Sequence, residues 1–280
     1  MDSSFLLNIA KGITKKAKKI FVNEYGEFGL SYFKLKKLKH QGYNQPGSLR
    51  LKEHIIKFNH PPELLHSLKE IFVDNIYKIK LMDESPKIID CGSNIGLSIV
   101  SLKLQYPNST IIAFEPDKIN FNLLQENTKL FSNITLVNKA VDSFEGEIEF
   151  EMSGTLGSNS FQNNNIKNIE KVKTARLKSY LQTHIHFLKI DIEGAEYNVL
   201  MDCKEELKNI DNLFLEYHGS FYQNKELNEM LELLTISGFL YYIKEADNVY
   251  PTPFCITEKR IFDMQLNIFA FKKNQYEQTR

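Results

Sequence analysis

The chain has 280 residues, 42% of them apolar and 12% aromatic, enough to bury a sizeable core and too many for global disorder. Its 35 Lys and Arg balance 35 Asp and Glu, and a net charge of zero argues against bulk attraction to nucleic acid. Three cysteines, Cys91, Cys203 and Cys255, lack metal-ligand spacing, which excludes a disulfide framework and a structural zinc and fits a reduced, cytoplasmic setting.

Charge is unevenly placed: residues 1–60 carry twelve Lys and Arg against four Asp and Glu, so this stretch is +8 and the remainder −8. Residues 3–21 set Phe5, Ile9, Ile13 and Ile20 at near-helical spacing with lysines between them. Such a helix docks on its own protein or lies on an anionic surface, so peripheral contact at an inner membrane face is one expectation for residues 1–21. No apolar run approaches the roughly 20 residues of a bilayer span.

Residues 22–60, punctuated by Gly26, Gly29, Gly42, Pro46 and Gly47, read as short strands and turns rather than a packed unit. After Pro61 and Pro62, Leu64, Leu68, Ile71, Phe72 and Ile76 share one helical face. A boundary near residues 83–87 divides a basic N-terminal extension (1–85) from the main domain (86–280).

From Lys87 the pattern alternates. "KIIDC" (87–91), "TIIAFE" (110–115), "ITLVNKAV" (134–141), "HFLKIDI" (186–192) and "NLFLEY" (212–217) read as strands, with helices after the first, second, fourth and fifth. "EIEFEM" (147–152) is an additional strand, and the polar stretch 156–171 a lid or surface loop. "FLYYIKE" (239–245) and "LNIFAFKK" (266–273) close the chain, joined by a loop rather than a helix, so they should pair antiparallel. The expected class is therefore α/β: a seven-stranded, mostly parallel sheet with a C-terminal antiparallel hairpin and an N-terminal helical or irregular extension.

Ligands of open α/β sheets bind beyond the carboxyl ends of the strands. The first such end, "IIDCGSNIGLS", places Asp90 before Gly92, Asn94 and Gly96, and the next ends in Glu115, nineteen residues past Gly96. Glu115 can accept both hydroxyls of a ribose. Dinucleotide enzymes pair glycines and an acid at similar distance, but with G-x-G-x-x-G, because a pyrophosphate must sit on the helix N-terminus. Asn94 at the middle position disfavours that, and Asp90 would repel a diphosphate yet suit an amino-acid ammonium through an intervening group. The spacing favours S-adenosylmethionine.

"IIDCGSNIGLS", "AFEPDKINFNLLQENT", "LVNKAVDSFEGEIEF", "FLKIDIEGAEYNVL" and "LFLEYH" together resemble the FkbM-type S-adenosylmethionine-dependent methyltransferases, from about Lys87 to His218. Lys178 departs from the family's usual acid in "ARLKSYL". The resemblance implies a Rossmann-like class I methyltransferase fold, acting mainly by O-methylation on sugar or polyketide-type hydroxyls. It implies that Gly92, Asn94 and Gly96 shape the methionine pocket, that Glu115 takes the ribose, and that Ala140 to Asp142 border the adenine. Asp142 is equally readable as a turn residue before Gly146.

Methyl transfer needs an oxygen nucleophile aligned with the methyl carbon, a home for its proton and exclusion of water. Asp191 and Glu193, at the fourth strand end, are the catalytic candidates, with Gly194 leaving room for a ligand. Glu196 reads as a first-turn acid complementing the helix dipole. Glu216 and His218 share one side of the fifth strand, and His218 is a base candidate at neutral pH. Mg2+ on Asp191, Glu193 and Glu216 is an alternative that the carboxylates permit and nothing requires.

The acceptor expected is a small-molecule hydroxyl, foremost a carbohydrate or glycan precursor; a polyketide- or peptide-type acceptor is the alternative. A base-flipping nucleic-acid methylase would carry N/D-P-P-aromatic where this chain reads "DIEG". A non-catalytic cofactor-binding module remains a third reading, since fold alone does not prove chemistry.

Overall fold

The computed structural model describes residues 25–151, 169–256 and 260–273. The expected helix over 3–21 and residues 156–168 of the polar stretch lie outside them. Among the described residues no helix is long and apolar enough to cross a membrane. The chain divides into two compact units, one ending at Lys78 and the other beginning at Ile79.

The first unit is more ordered than its glycines suggest. Ser31 caps helix α1 (Tyr32–Lys39), its hydroxyl accepting the Lys34 amide N–H at 3.3 Å. Strands β1 (Gly47–Leu51) and β2 (His54–Phe58) form an antiparallel hairpin that buries Leu49, Leu51, Ile56 and Phe58. Helix α2 (Pro61–Leu68) starts on the two prolines and runs into a wider turn over Lys69–Val73. Leu64, Leu68, Ile71 and Phe72 are buried as their spacing predicted, and Phe28 packs edge-on to Phe72 at 5.0 Å.

The second unit holds the seven-stranded sheet. Strands β3 (Lys87–Cys91), β4 (Thr110–Phe114), β5 (Ile134–Val137), β9 (Ile185–Ile190) and β10 (Ile210–Gly219) run parallel. Strands β11 (Phe239–Glu245) and β12 (Met264–Lys272) complete the order β11-β12-β10-β9-β3-β4-β5. Helices α3 (Leu97–Gln105), α4 (Lys118–Thr128), α5 (Glu196–Asp202) and α6 (Asn224–Ile236) follow β3, β4, β9 and β10. The last two strands pair antiparallel as expected, but the final strand does not lie at the sheet edge. The connection through α6 carries β11 past one vacant position, and β12 returns into it, antiparallel to both β10 and β11. Ile268 and Ala270 are buried there, as a strand paired on both sides requires.

The expected strand 134–141 is broken in two. After β5 the chain leaves the sheet, and β6 (Ala140–Asp142) pairs in parallel with β8 (Ile169–Arg176), which also pairs antiparallel with β7 (Glu147–Glu151). Strand β8 was not anticipated; its alternation is masked by charges at Glu170, Lys171 and Lys173.

Candidate active site

The carboxyl ends of β3, β4, β9 and β10 converge on one edge of the sheet. The turn after β3 places Gly92 (φ +86°), Asn94 (φ +47°) and Gly96 (φ +90°) in the left-handed region. A Cβ on Gly92 would lie 1.8 Å from the backbone carbonyl oxygen of Asp191, so glycine is demanded there by the end of β9. A Cβ on Gly96 would meet the Leu124 side chain at 2.8 Å, which is the close approach of α4. Both glycines therefore answer to protein packing as well as to any ligand.

Asp90 turns inward and has no exposed surface. Ser98 Oγ donates to its Oδ2 at 2.5 Å, while Oδ1, without a hydrogen-bond donor, faces Lys189 Nζ at 3.4 Å. Burial leaves Asp90 no direct contact with a ligand, and an amino-acid ammonium would reach it only through an intervening group, as expected from the sequence. Lys189 is nearly fully buried and also donates to the carbonyl oxygen of Gly92 at 2.9 Å and to Asp191 Oδ2 at 3.1 Å. One buried cation ties the ends of β3 and β9 together.

Beyond β4, Glu115 accepts the amide N–H of Asn94 at 2.8 Å and that of Asp117 at 2.9 Å. Asp117 in turn caps α4, accepting from Ile119 and Asn120, which explains the acid of "FEPD". Burial pushes the Glu115 carboxyl up to about 8, against the pull of its two amide donors. Asn138 donates to the carbonyl oxygens of Glu115 and Pro116 at 2.8 and 3.0 Å, bringing the chain after β5 to the same edge. Ala140 is buried in β6, and Asp142 accepts from the amide and hydroxyl of Ser143, the turn role left open by the sequence. An open recess lined by Ser143, Phe144, Glu145, Arg176 and Ser179 lies beside it.

The turn after β9 holds Glu193 at φ +56° and Gly194 at φ +111°. Left-handed backbone at a non-glycine residue is strained, and here the strain falls at the carboxyl end of β9. This turn wraps around Glu196, which is buried and accepts the N–H groups of Ile192 at 3.2 Å and Gly194 at 2.9 Å. Side chains at a helix start lean back toward its N-terminus, so the Glu196 carboxylate also reaches His218 Nδ1 at 3.0 Å. Glu196 is therefore more than a helix-dipole acid: it joins the β9 turn to the end of β10.

His218 is buried between two carboxylates, with Nε2 3.4 Å from Glu216 Oε1. Burial alone would lower its pKa, but Glu196 and then Glu216 raise it to about 11, so the ring is held as imidazolium. As a base candidate read from the sequence, His218 carries the value of an isolated histidine, and its two anionic neighbours shift it upward from there. The Glu193 side chain keeps solvent-exposed surface, yet the protein crowding it and then the charge of Asp191 raise its carboxyl above the usual range. The Phe262 ring lies 5.0 Å from that of His218 and would stand 3.5 Å from a Cβ on Gly194, so it covers the ends of β9 and β10. Asp263 fixes this cover by donating its amide N–H to Gly219 and accepting from Phe221 N and the Tyr250 hydroxyl.

A family model described as the methyltransferase FkbM domain matches residues 90–241, more than half of the chain. The chain belongs to the FkbM methyltransferase family. Methyltransferase 1 of Beauveria bassiana is 28% identical over 213 residues, covering 66% of this chain and 84% of that protein. The hexuronic acid methyltransferase AglP of Haloferax volcanii is 25% identical over 162 residues, covering 55% of this chain and 65% of that protein. Among solved structures, a methyltransferase FkbM from Methylobacillus flagellatus matches 68% of this chain and 45% of its own, at 17% identity and a TM-score of 0.47.

The sheet of this FkbM family member, with β12 inserted antiparallel, is the class I methyltransferase fold. The donor set fits S-adenosylmethionine at its ribose end: Glu115 accepts two amide N–H groups, and the carboxyl keeps further hydrogen-bonding capacity for ribose hydroxyls. Asp191, Glu193, Glu216 and His218 meet at the β9 and β10 ends as expected. Sequence reasoning missed Lys189 and Phe262. The alternation Phe187, Lys189, Asp191 did carry a signal for the lysine, a cation facing the same way as Asp191 inside an otherwise apolar strand. Nothing local identified Phe262, which reaches the site only because β12 lies beside β10.

Proposed function

We propose that this protein is an S-adenosylmethionine-dependent O-methyltransferase whose acceptor is a hydroxyl of a small carbohydrate or glycan precursor. The observation carrying the chemistry is Glu193, a carboxyl of raised pKa on a strained turn, open to solvent and set among Asp191, Glu216 and the His218–Glu196 pair. The similarity to a hexuronic acid methyltransferase supports the carbohydrate class. Exposed Tyr222, Phe254 and Ile261 on the segments flanking Phe262 favour, as a second reading, an acceptor with an apolar portion.

When bound, S-adenosylmethionine supplies an electrophilic methyl on a sulfonium. Glu115 would hold the ribose, and Gly92, Asn94 and Gly96 would border the methionine part, with Lys189 fixing the ends of β3 and β9. Glu193 would take the proton of the acceptor hydroxyl as the carbon–oxygen bond forms and the carbon–sulfur bond of the sulfonium breaks to leave a neutral thioether, because a carboxyl of raised pKa is a stronger base than an ordinary one. Glu196 and His218 position Glu216, and Phe262 keeps water from the reacting oxygen. An acceptor that is neither protein nor nucleic acid completes the reading.

The test is transfer of a labelled methyl group from S-adenosylmethionine to a panel of sugars, sugar acids and nucleotide sugars, with Glu193→Gln in parallel. Methylation of a sugar hydroxyl is expected, reduced about 10²-fold or more in kcat in the variant with cofactor affinity retained. Failure of the wild-type protein to bind S-adenosylmethionine by calorimetry, or transfer to RNA alone, overturns the proposal.

A further inference from the structure

The ends of β9 and β10 bring together more than a base. One ligand atom each from Asp191, Glu216 and His218 lie within 4.8 Å of one another, and Nε2 of His218 is 3.4 Å from Glu216 Oε1. In a six-coordinate shell with bonds of about 2.1 Å, adjacent ligands stand about 3 Å apart, so small side-chain rotations close this set on one ion. The Mg2+ set anticipated from the sequence used Glu193 in place of His218; the geometry substitutes the imidazole.

Three further features belong to a built site. His218 directs its Nδ1–H at the buried Glu196 carboxylate, so Nε2 is the ring atom turned toward Glu216 and the one from which an ion would displace the proton. Lys189 donates to Oδ2 of Asp191 and so holds this carboxylate in place at the end of β9. Asn267 stands directly across from Glu216 in the β10–β12 ladder and therefore on the same sheet face. It is 2% exposed, and its side-chain carbonyl oxygen has no hydrogen-bond partner. An orphaned buried oxygen is costly, and a cation or its bound water would satisfy it. A second group, His184, His186 and Asp211, has its ligand atoms similarly close, but His186 Nδ1 accepts the amide N–H of Lys87. In the neutral ring that leaves the proton on Nε2, the atom facing Asp83, so this imidazole offers no free lone pair.

We infer that Asp191, Glu216 and His218 form a binding site for a single divalent cation at the carboxyl ends of β9 and β10. Mixed carboxylate and imidazole ligation points to Mn2+ rather than Mg2+, because imidazole suits transition metals and carboxylate and water suit Mn2+ as well. Binding releases the Nε2 proton to solvent, and the protein fills three positions of the shell. The remaining positions accept water or two neighbouring oxygens of an acceptor, such as a vicinal diol. This last consequence rests on the O-methyltransferase reading; the site itself does not.

The test is Mn2+ titration of the full chain, without acceptor, followed by electron paramagnetic resonance, alongside calorimetry with S-adenosylmethionine. One site is expected, weakened at least tenfold in Glu216→Gln and in His218→Ala, and unchanged in Asp211→Asn. Thermal melting identifies any variant that fails to fold, and the other then decides. No saturable Mn2+ binding, or binding lost in Asp211→Asn and kept in Glu216→Gln, overturns the site. Retained heat with S-adenosylmethionine in that case leaves the methyl-transfer proposal standing, whereas Mn2+ binding without cofactor heat separates the two the other way.

Discussion

Replacing Lys189 by methionine keeps the length and most of the volume of the side chain and removes only its charge and donors. The consequence follows from the burial of its partners. Asp191 is 26% exposed on its side chain and can turn to water, so its loss is that of a surface pair, about 0–1 kcal/mol. Asp90 is 0% exposed and keeps only the Ser98 hydroxyl. Removing one member of a buried ion pair costs about 3–5 kcal/mol, because the remaining charge is stranded. At about 2–4 °C per kcal/mol for a domain of this size, the melting temperature should fall by roughly 6–20 °C. Neutralising the stranded partner in Lys189→Met/Asp90→Asn should return at least half of that loss. Urea and thermal unfolding of the wild type, both single variants and the double variant measure the coupling directly. If the double variant is as unstable as the sum of the singles, Asp90 and Lys189 are not an interacting pair and the account of the β3–β9 junction is wrong.

Gly92→Ala and Gly238→Ala separate steric clash from backbone strain. Both residues have positive φ, +86° and +82°, but a Cβ at 238 meets nothing within 4 Å, whereas at 92 it runs into the Asp191 carbonyl. Denaturant unfolding should show a loss of about 1–2 kcal/mol for Gly238→Ala and a markedly larger one for Gly92→Ala; equal losses would refute the close approach of the β3 and β9 ends. Glu115 gives a pH dependence. Its folded pKa of about 8 lies above the ordinary 4.5, so the folded protein binds the proton more tightly. Its contribution to stability is full below about pH 4.5 and is lost as the pH rises through 8. The stability of Glu115→Gln should therefore fall less between pH 5 and 9 than that of the wild type, and parallel profiles would show that this carboxyl does not titrate in that window.

Local chemistry determined much of this protein. Period-2 and period-3.6 patterns located the sheet strands and their helices, because alternation and helical spacing are properties of consecutive residues. The D-x-G-x-N-x-G turn and the acid at Glu115 marked the cofactor edge for the same reason, and the run of motifs identified the family. The tertiary structure decided which of those residues meet. Insertion of β12 between β10 and β11 depends on a vacancy left by a crossover, and it alone brings Phe262 and Asn267 to the site. The pairing of Glu196 with His218 joins residues 22 positions apart, and that of Lys189 with Asp90 joins residues 99 apart, through strand register and shared burial. Ionisation follows the same division: residue type supplied the unperturbed values, while anionic neighbours raise the His218 pKa against the effect of burial, and burial with the charge of Asp191 raises that of Glu193.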